Sequence, residues 1–331
     1  MSPSSFTSNS SLTHLFPILN VLHGFTTCPT LALTNVANVS LSDNALGIHK
    51  NTGHLTHNVV NPPMPIALCG NEPPPQVAWE AFYPKGSISP QTEKPGGLGF
   101  YLSGPSDFAR ALENGASEAL FSYKVMFQPD WEWVKGGKLP GIYHDDLADG
   151  NTISDGGVGD LAYKCSGGRQ DDRCKCFNLR LMWRASGKGE IYAYMPLNNI
   201  NTKQLLAVPP KSVLNNDYGI SVGKGPYTLS TGLWITIAQR VKLNTPGKTD
   251  GAHIIIAIHY SVQAEFVIGE VQLWMNGSCV LHVVGLVMRE DAASHIKGMH
   301  FQTFFGGHSI DWASPKDQRA WFADVSGAIM H

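Results

Sequence analysis

Two neighbouring stretches of this chain alternate apolar and polar positions with a period of two, and a short break separates them. Phe177, Leu179, Leu181 and Trp183 alternate with Asn178, Arg180, Met182 and Arg184; further on, Ile191, Ala193 and Met195 alternate with Glu190, Tyr192 and Tyr194. Such alternation puts each set on one face of a strand. With Ala185-Ser186-Gly187 as a three-residue turn, 184 pairs with 188. That register sets Arg180 opposite Tyr192 and Asn178 opposite Tyr194. One sheet face then carries a guanidinium, an amide and two phenols within cross-strand reach. Exposed polar faces are ordinary in antiparallel sheets, but this one also suits an anionic, hydroxyl-rich ligand with proton transfer beside it.

Similar short strand-like runs recur from Trp79 onward, broken by Gly, Pro, Asn and Asp. They fall at 119–127, 177–184, 189–195, 218–223, 233–243, 270–275, 279–288, 299–305 and 320–326. The best helical pattern is 105–114. Many strands, few helices and long Gly-rich loops predict an all-β chain built as a two-sheet antiparallel β-sandwich or jelly roll, in preference to a parallel α/β sheet. Residues 1–78 are rich in Ser, Thr, Asn and Pro and poorly periodic, which predicts a leader or poorly ordered tail before a domain at 79–331. Segment 252–268 is a long apolar run with no charge until Glu265. It reads either as a buried strand or as an insertion, because GEVQLWM just beyond it would itself make a hairpin with the strand before the turn at 245–251.

The 331 residues are 43% apolar and 15% charged, with a formal net charge of −2. A sizeable core is available, and no global field recruits nucleic acid or an anionic membrane. A polyanion would need a local basic patch. No stretch of eighteen uninterrupted apolar residues occurs, so no transmembrane helix is expected. Residues 12–27 are moderately apolar but include His14, Pro17 and His23, and no Lys or Arg precedes them, so they make no clean signal peptide. The cluster Cys165, Cys174, Cys176 lacks zinc-knuckle spacing, and a disulfide closing the loop 165–176 suits an exported protein. Sequons at Asn9, Asn38 and Asn276 are compatible with export. The acidic loop 144–160 lacks EF-hand spacing. No G-x-S-x-G, Walker A or Rossmann fingerprint is present.

Several blocks in order carry a family resemblance: VMFQPDWEWVKGGKLPGIY (125–143), CFNLRLMWR (176–184), EIYAY (190–194), RVKLNTPGKTDG (240–251), GMHFQTFFGGH (298–308) and WASPKDQRAWFADVSGAI (312–329). Together they resemble polysaccharide lyase family 14, the alginate and glucuronan lyases, and most of all its fungal members. The resemblance covers about 79–331, and 252–268 interrupts it, which favours the insertion reading. It implies a β-jelly roll with a concave substrate groove. It also implies a secreted, monomeric enzyme that cleaves a β-1,4-linked uronan by β-elimination, without metal or redox cofactor. An acidic polysaccharide would be its partner, with neither nucleic acid nor membrane involved. The family's essential lysine maps to Lys138, its arginine to Arg180 and its tyrosine pair to Tyr192 and Tyr194. Asn178 stands where characterised animal and viral members have serine. Lys135 and Gln302 join it as expected substrate contacts, and the family's disulfide maps to Cys165–Cys176.

β-Elimination removes the C5 proton of a uronate and expels O4. The adjacent carboxylate makes that proton weakly acidic, so the charge that develops must be neutralised. Arg180 could do this bidentately, with Asn178 adding a donor. Lys138 lies in Gly-Gly-Lys-Leu-Pro-Gly, read here as a loop in which glycines let the backbone approach a sugar. Its ammonium could stabilise charge or, with a depressed pKa, its amine could take the proton. A tyrosine near cations could equally be base and acid. Trp131 and Trp133 could stack on sugars, although burial is the commoner fate of tryptophan; His144 and His308 could line a groove. The competing function is a jelly-roll carbohydrate-binding protein without turnover. A glycoside hydrolase would need two carboxylates on one groove, and the hairpin face supplies Glu190 alone.

Overall fold

Short β-prone runs with one apolar face each bury that face by stacking two sheets. In a computed structural model of the chain this is what they do. The structure describes residues 11–330, apart from 54, 69–72, 91, 146–175, 247–267, 293 and 308. The strands in chain order begin with β1 (His23–Thr26), β2 (Val36–Asn38), β3 (Ile48–His49), β4 (Val59–Val60), β5 (Ala78–Tyr83) and β6 (Leu98–Leu102). Next come β7 (Glu118–Phe127), β8 (Gly136–Asp145), β9 (Phe177–Arg184), β10 (Gly189–Tyr194), β11 (Val213–Asn215) and β12 (Gly219–Val222). The last are β13 (Ile235–Lys242), β14 (Gly269–Met275), β15 (Ser278–Leu286), β16 (His295–Phe305) and β17 (Gln318–Ile329). Among the described residues two α-helices, α1 (Ser106–Glu113) and α2 (Asn199–Leu206), complete the frame.

One sheet runs β15-β14-β13-β7-β17-β1-β2, with β5 also on β17 and β4 on β5; the other runs β11-β12-β10-β9-β8-β16-β6-β3. The pairings are antiparallel except for β1 with β2, which gives the expected two-sheet jelly roll. Its core holds Trp79, Phe100, Phe121, Phe127, Leu179, Leu181, Trp183, Ile191, Phe301 and Phe322, among others. Trp131 belongs to this core and Trp133 packs against it, so their rings support the sheet. The expected helix at 105–114 is α1, and α2 starts on an Asn198 cap whose side chain accepts from the Asn201 N–H at 2.8 Å.

Two features differ from the reading of the sequence. Residues 11–60 do not hang loose: β1 pairs with β17, β3 with β6 and β4 with β5. Leu15 and Phe16 are buried with Trp274 and Met330 on the outer face of the first sheet. These strands of two to four residues are too short to show a period, yet they cover hydrophobic surface that would otherwise meet water. The second difference is β8, expected as a loop. Gly137 lies so close beneath Trp183 that a Cβ there would sit 2.0 Å from its ring, and one on Gly141 would sit 1.9 Å from the Leu179 carbonyl oxygen. These glycines serve close strand packing. Pro140 is accommodated where the β8–β9 register shifts between Leu139 and Ile142. As the sequence reading of GEVQLWM has it, β13 and β14 pair directly, Lys242 opposite Glu270. The strands flanking the unusual apolar segment thus pair as in a hairpin, while 252–267 lie outside the described residues.

Candidate active site

The site grows out of the β9–β10 hairpin. Ser186 and Gly187 take positive φ of 61° and 72° in its three-residue turn, a conformation glycine adopts without strain. The expected register is the observed one, with Tyr192 opposite Arg180 and Tyr194 opposite Asn178. Leu179, Leu181, Trp183, Ile191 and Ala193 enter the core. Met182, Tyr192 and Tyr194 form a separate cluster with Cys176 on the other face. On one side β8 brings Lys138 opposite Met182. Beyond it, β16 brings His300 and Gln302, which face Arg180.

Lys138 Nζ lies 4.1 Å from the centre of the Tyr192 ring and 4.9 Å from that of Tyr194. It also approaches Met182 Sδ at 3.1 Å. Burial, then the charges of Arg180 and Arg184, push its pKa well below the ordinary lysine value, with Glu190 opposing. An amine so placed loses its proton far more readily than one in water, as a general base requires. Glu190 is fully buried; it accepts from Arg184 and from Ser221 Oγ.

Arg180 donates through Nε to the Leu139 carbonyl at 3.1 Å and through NH2 to the Gln302 carbonyl at 2.5 Å. NH1 reaches His300 Nδ1 and Gln302 Oε1, both at 3.2 Å. Burial lowers its pKa to about 10, which still leaves it cationic at neutral pH. Asn178 Nδ2 lies 3.0 Å from the same His300 nitrogen. Burial, with Arg180 and Lys138 alongside, depresses His300 well below the usual imidazole range, so it is neutral. Its ring stacks on Tyr101 at 4.2 Å.

Exposure sorts these groups into two layers. Asn178 and Arg180 are 0% and 2% exposed, whereas Lys138, Tyr192, Tyr194, His300 and Gln302 keep 5–9%. The structure therefore brings Lys138, Arg180, Tyr192, Tyr194, Asn178 and Gln302 together in one cluster, with Asn178 and Arg180 beneath the others. Lys135 stands apart from them: it pairs with Asp311 and lies over the Trp312 ring. Cys176 immediately precedes β9, but Cys165, Cys174 and His308 lie outside the described residues, as do Asp146, Asp149, Asp155 and Asp160 of the acidic loop. The residue that sequence reasoning left out of the site is His300, although it shares a strand face with Gln302. Among the described residues no group of three or more His, Cys, Asp or Glu is placed to hold a metal ion. Nor is any helix there long and apolar enough to cross a membrane.

A jelly roll with a lysine, an arginine and paired phenols on one sheet face defines a class of carbohydrate-active protein. Comparison with known proteins gives the family. A model of polysaccharide lyase 14 matches residues 73–325, and the chain belongs to that family. The marine family 14 alginate lyase from Aplysia kurodai is 31% identical, with a TM-score of 0.59 over 77% of this chain and 83% of that one. An alginate lyase from Chlorella virus has the same fold at 17% identity and a TM-score of 0.56, covering 86% of this chain and 93% of that one. An endo-β-1,4-glucuronan lyase from the fungus Trichoderma reesei is 10% identical with a TM-score of 0.45, over 86% and 91%. No curated protein matches.

Proposed function

We propose that this protein cleaves a β-1,4-linked uronan, glucuronan or polymannuronate, by β-elimination. The observation that carries the reading is the depressed pKa of a lysine held against two phenols and beside a buried arginine. The neutral amine of Lys138 takes the C5 proton. The electrons of the C5–H bond form the C4–C5 double bond, the C4–O4 bond breaks, and O4 takes a proton from the hydroxyl of Tyr192 or Tyr194. Lys138 later returns its proton to water, which also reprotonates the tyrosine. Between Lys and Tyr as base, the burial-driven loss of the lysine proton supports the lysine. Arg180, cationic beneath this face, supplies local positive charge on a chain of net charge −2, which is what a polyanion needs.

The alginate-acting relative at 31% identity supports a uronate substrate. We place the catalytic domain at 79–331, with 252–268 inserted between two strands that pair without it. A monomeric, secreted form with a Cys165–Cys176 disulfide completes the proposal. Product analysis tests it. Each elimination yields one new reducing end and one unsaturated uronate that absorbs in the ultraviolet, in equal number. New reducing ends without the chromophore would mean hydrolysis, and neither product from either polymer would sink the proposal.

A further inference from the structure

A bidentate carboxylate clamp needs two parallel N–H groups of one guanidinium. Arg180 does not have them to offer. Of its five N–H bonds, one goes to Leu139, two to His300 and Gln302 side chains and one to the Gln302 carbonyl. One remains, on a side chain 2% exposed. What these bonds do is set the polarity of two neighbours. A guanidinium only donates, so His300 Nδ1 accepts and the imidazole proton resides on Nε2. The Asn178 amide donates to the same lone pair. By the same logic Gln302 Oε1 accepts and its Nε2 points the other way, where one of its two hydrogens meets Thr52 Oγ1 at 3.2 Å. His300 Nε2 has no hydrogen-bond partner among the described residues. Both groups thus have an N–H in hand, polarised by the cation behind it.

We propose that the uronate carboxylate is held by the outward N–H groups of His300 and Gln302, with Arg180 acting through them. His300 is then a catalytic residue and Arg180 a positioning one. The inference rests on the lyase reading above and says where its substrate's charge is met. As the C5 proton leaves, negative charge grows on the carboxylate. It is stabilised by two preorganised donors whose far sides are bound to one buried cation. Stacking on Tyr101 and the bond from Asn178 keep the imidazole from turning. Asn178 thereby serves the ring and not the substrate.

Two substitutions separate the two ends of the ring. His300→Asn keeps an acceptor near the Nδ1 position and loses the outward N–H. His300→Gln keeps a donor near Nε2 and loses the acceptor. Rates on glucuronan and polymannuronate are followed by ultraviolet absorbance, and melting temperatures confirm folding. We expect kcat of His300→Asn to fall by about 10²–10³, at least ten-fold further than that of His300→Gln. Equal losses, or a greater loss in His300→Gln, would show that the ring only supports Arg180 and would overturn the proposal. Should either protein fail to fold, Gln302→Met removes the second outward donor. It should lower kcat by the same order, and a parent-like kcat would overturn the proposal. A parent that binds a glucuronate or mannuronate trisaccharide without cleaving it defeats the lyase reading. In that case the same pair of variants, compared by Kd in calorimetry, still decides the contact. A parent that neither cleaves nor binds defeats both.

Discussion

Replacing Arg180 by alanine should cost stability as well as turnover. The side chain is buried and satisfies the Leu139 and Gln302 carbonyls and the Gln302 side-chain oxygen. Alanine strands these acceptors in a cavity beneath the site. A buried acceptor left unpaired costs about 1–3 kcal/mol. Water entering the cavity, and release of the desolvated charge that burial disfavours, offset part of that. We expect a net loss of about 3 kcal/mol, against a typical total of about 5–15 kcal/mol. Urea unfolding followed by tryptophan fluorescence reads the change directly from the midpoint and slope. Arg180→Lys, which keeps the charge but has three donors in place of five, should fall between parent and alanine. An Arg180→Ala protein within about 0.5 kcal/mol of the parent would refute the hydrogen-bonding role that links Arg180 to β16, since changes that small are typical of substitutions away from any buried network.

Lys138 should leave a signature in the pH dependence of stability. Its folded pKa is depressed, so between that value and the ordinary lysine range the unfolded chain binds more protons. The contribution to stability therefore rises with pH across that window and is lost as pH falls through it. Lys138→Met should flatten the rise, stabilising the protein relative to the parent more at pH 7 than at pH 10; parallel urea midpoints at the two pH values would contradict this. Gly137→Ala should destabilise by about 1–3 kcal/mol, because the added methyl meets the Trp183 ring in a packed core; an unchanged melting temperature would show that the ring moves freely. Deleting residues 1–60 removes Leu15 and Phe16 and uncovers the cluster they pack in, Trp274 and Met330 included, where burying a large side chain is worth roughly 1.5–3 kcal/mol, and it unpairs an edge of β17. The truncated protein should melt lower and associate, as calorimetry and light scattering would show, and a parent-like monomer would argue that the segment is dispensable.

What could be read in advance follows from how local each signal is. The β9–β10 register was legible because the period is two and the turn length fixes the pairing; both faces then follow without knowledge of the rest of the fold. β8 was not, because Gly-Gly-Lys-Leu-Pro-Gly carries turn chemistry that close packing against Trp183 and β9 overrides. The strands in residues 23–60 were hidden by their length. Arg180 could be placed on the right face, but not its commitment to Gln302 and His300, which lie about 120 residues further along the chain. His300 itself gives no pattern: a lone histidine on a strand becomes a site residue only when a cation and an amide converge on one of its nitrogens.

The claim that Lys138 is the proton acceptor is tested most directly by the initial rate of Lys138→Arg on the uronan that the parent degrades. Arginine fills much of the same space but cannot give up its proton at working pH. If the neutral amine takes the C5 proton, unsaturated uronate should form at least about 10²-fold more slowly, measured below the variant's melting temperature, which the fixed charge should lower. A rate within ten-fold of the parent would contradict the account and leave the base to be sought at Tyr192 or Tyr194.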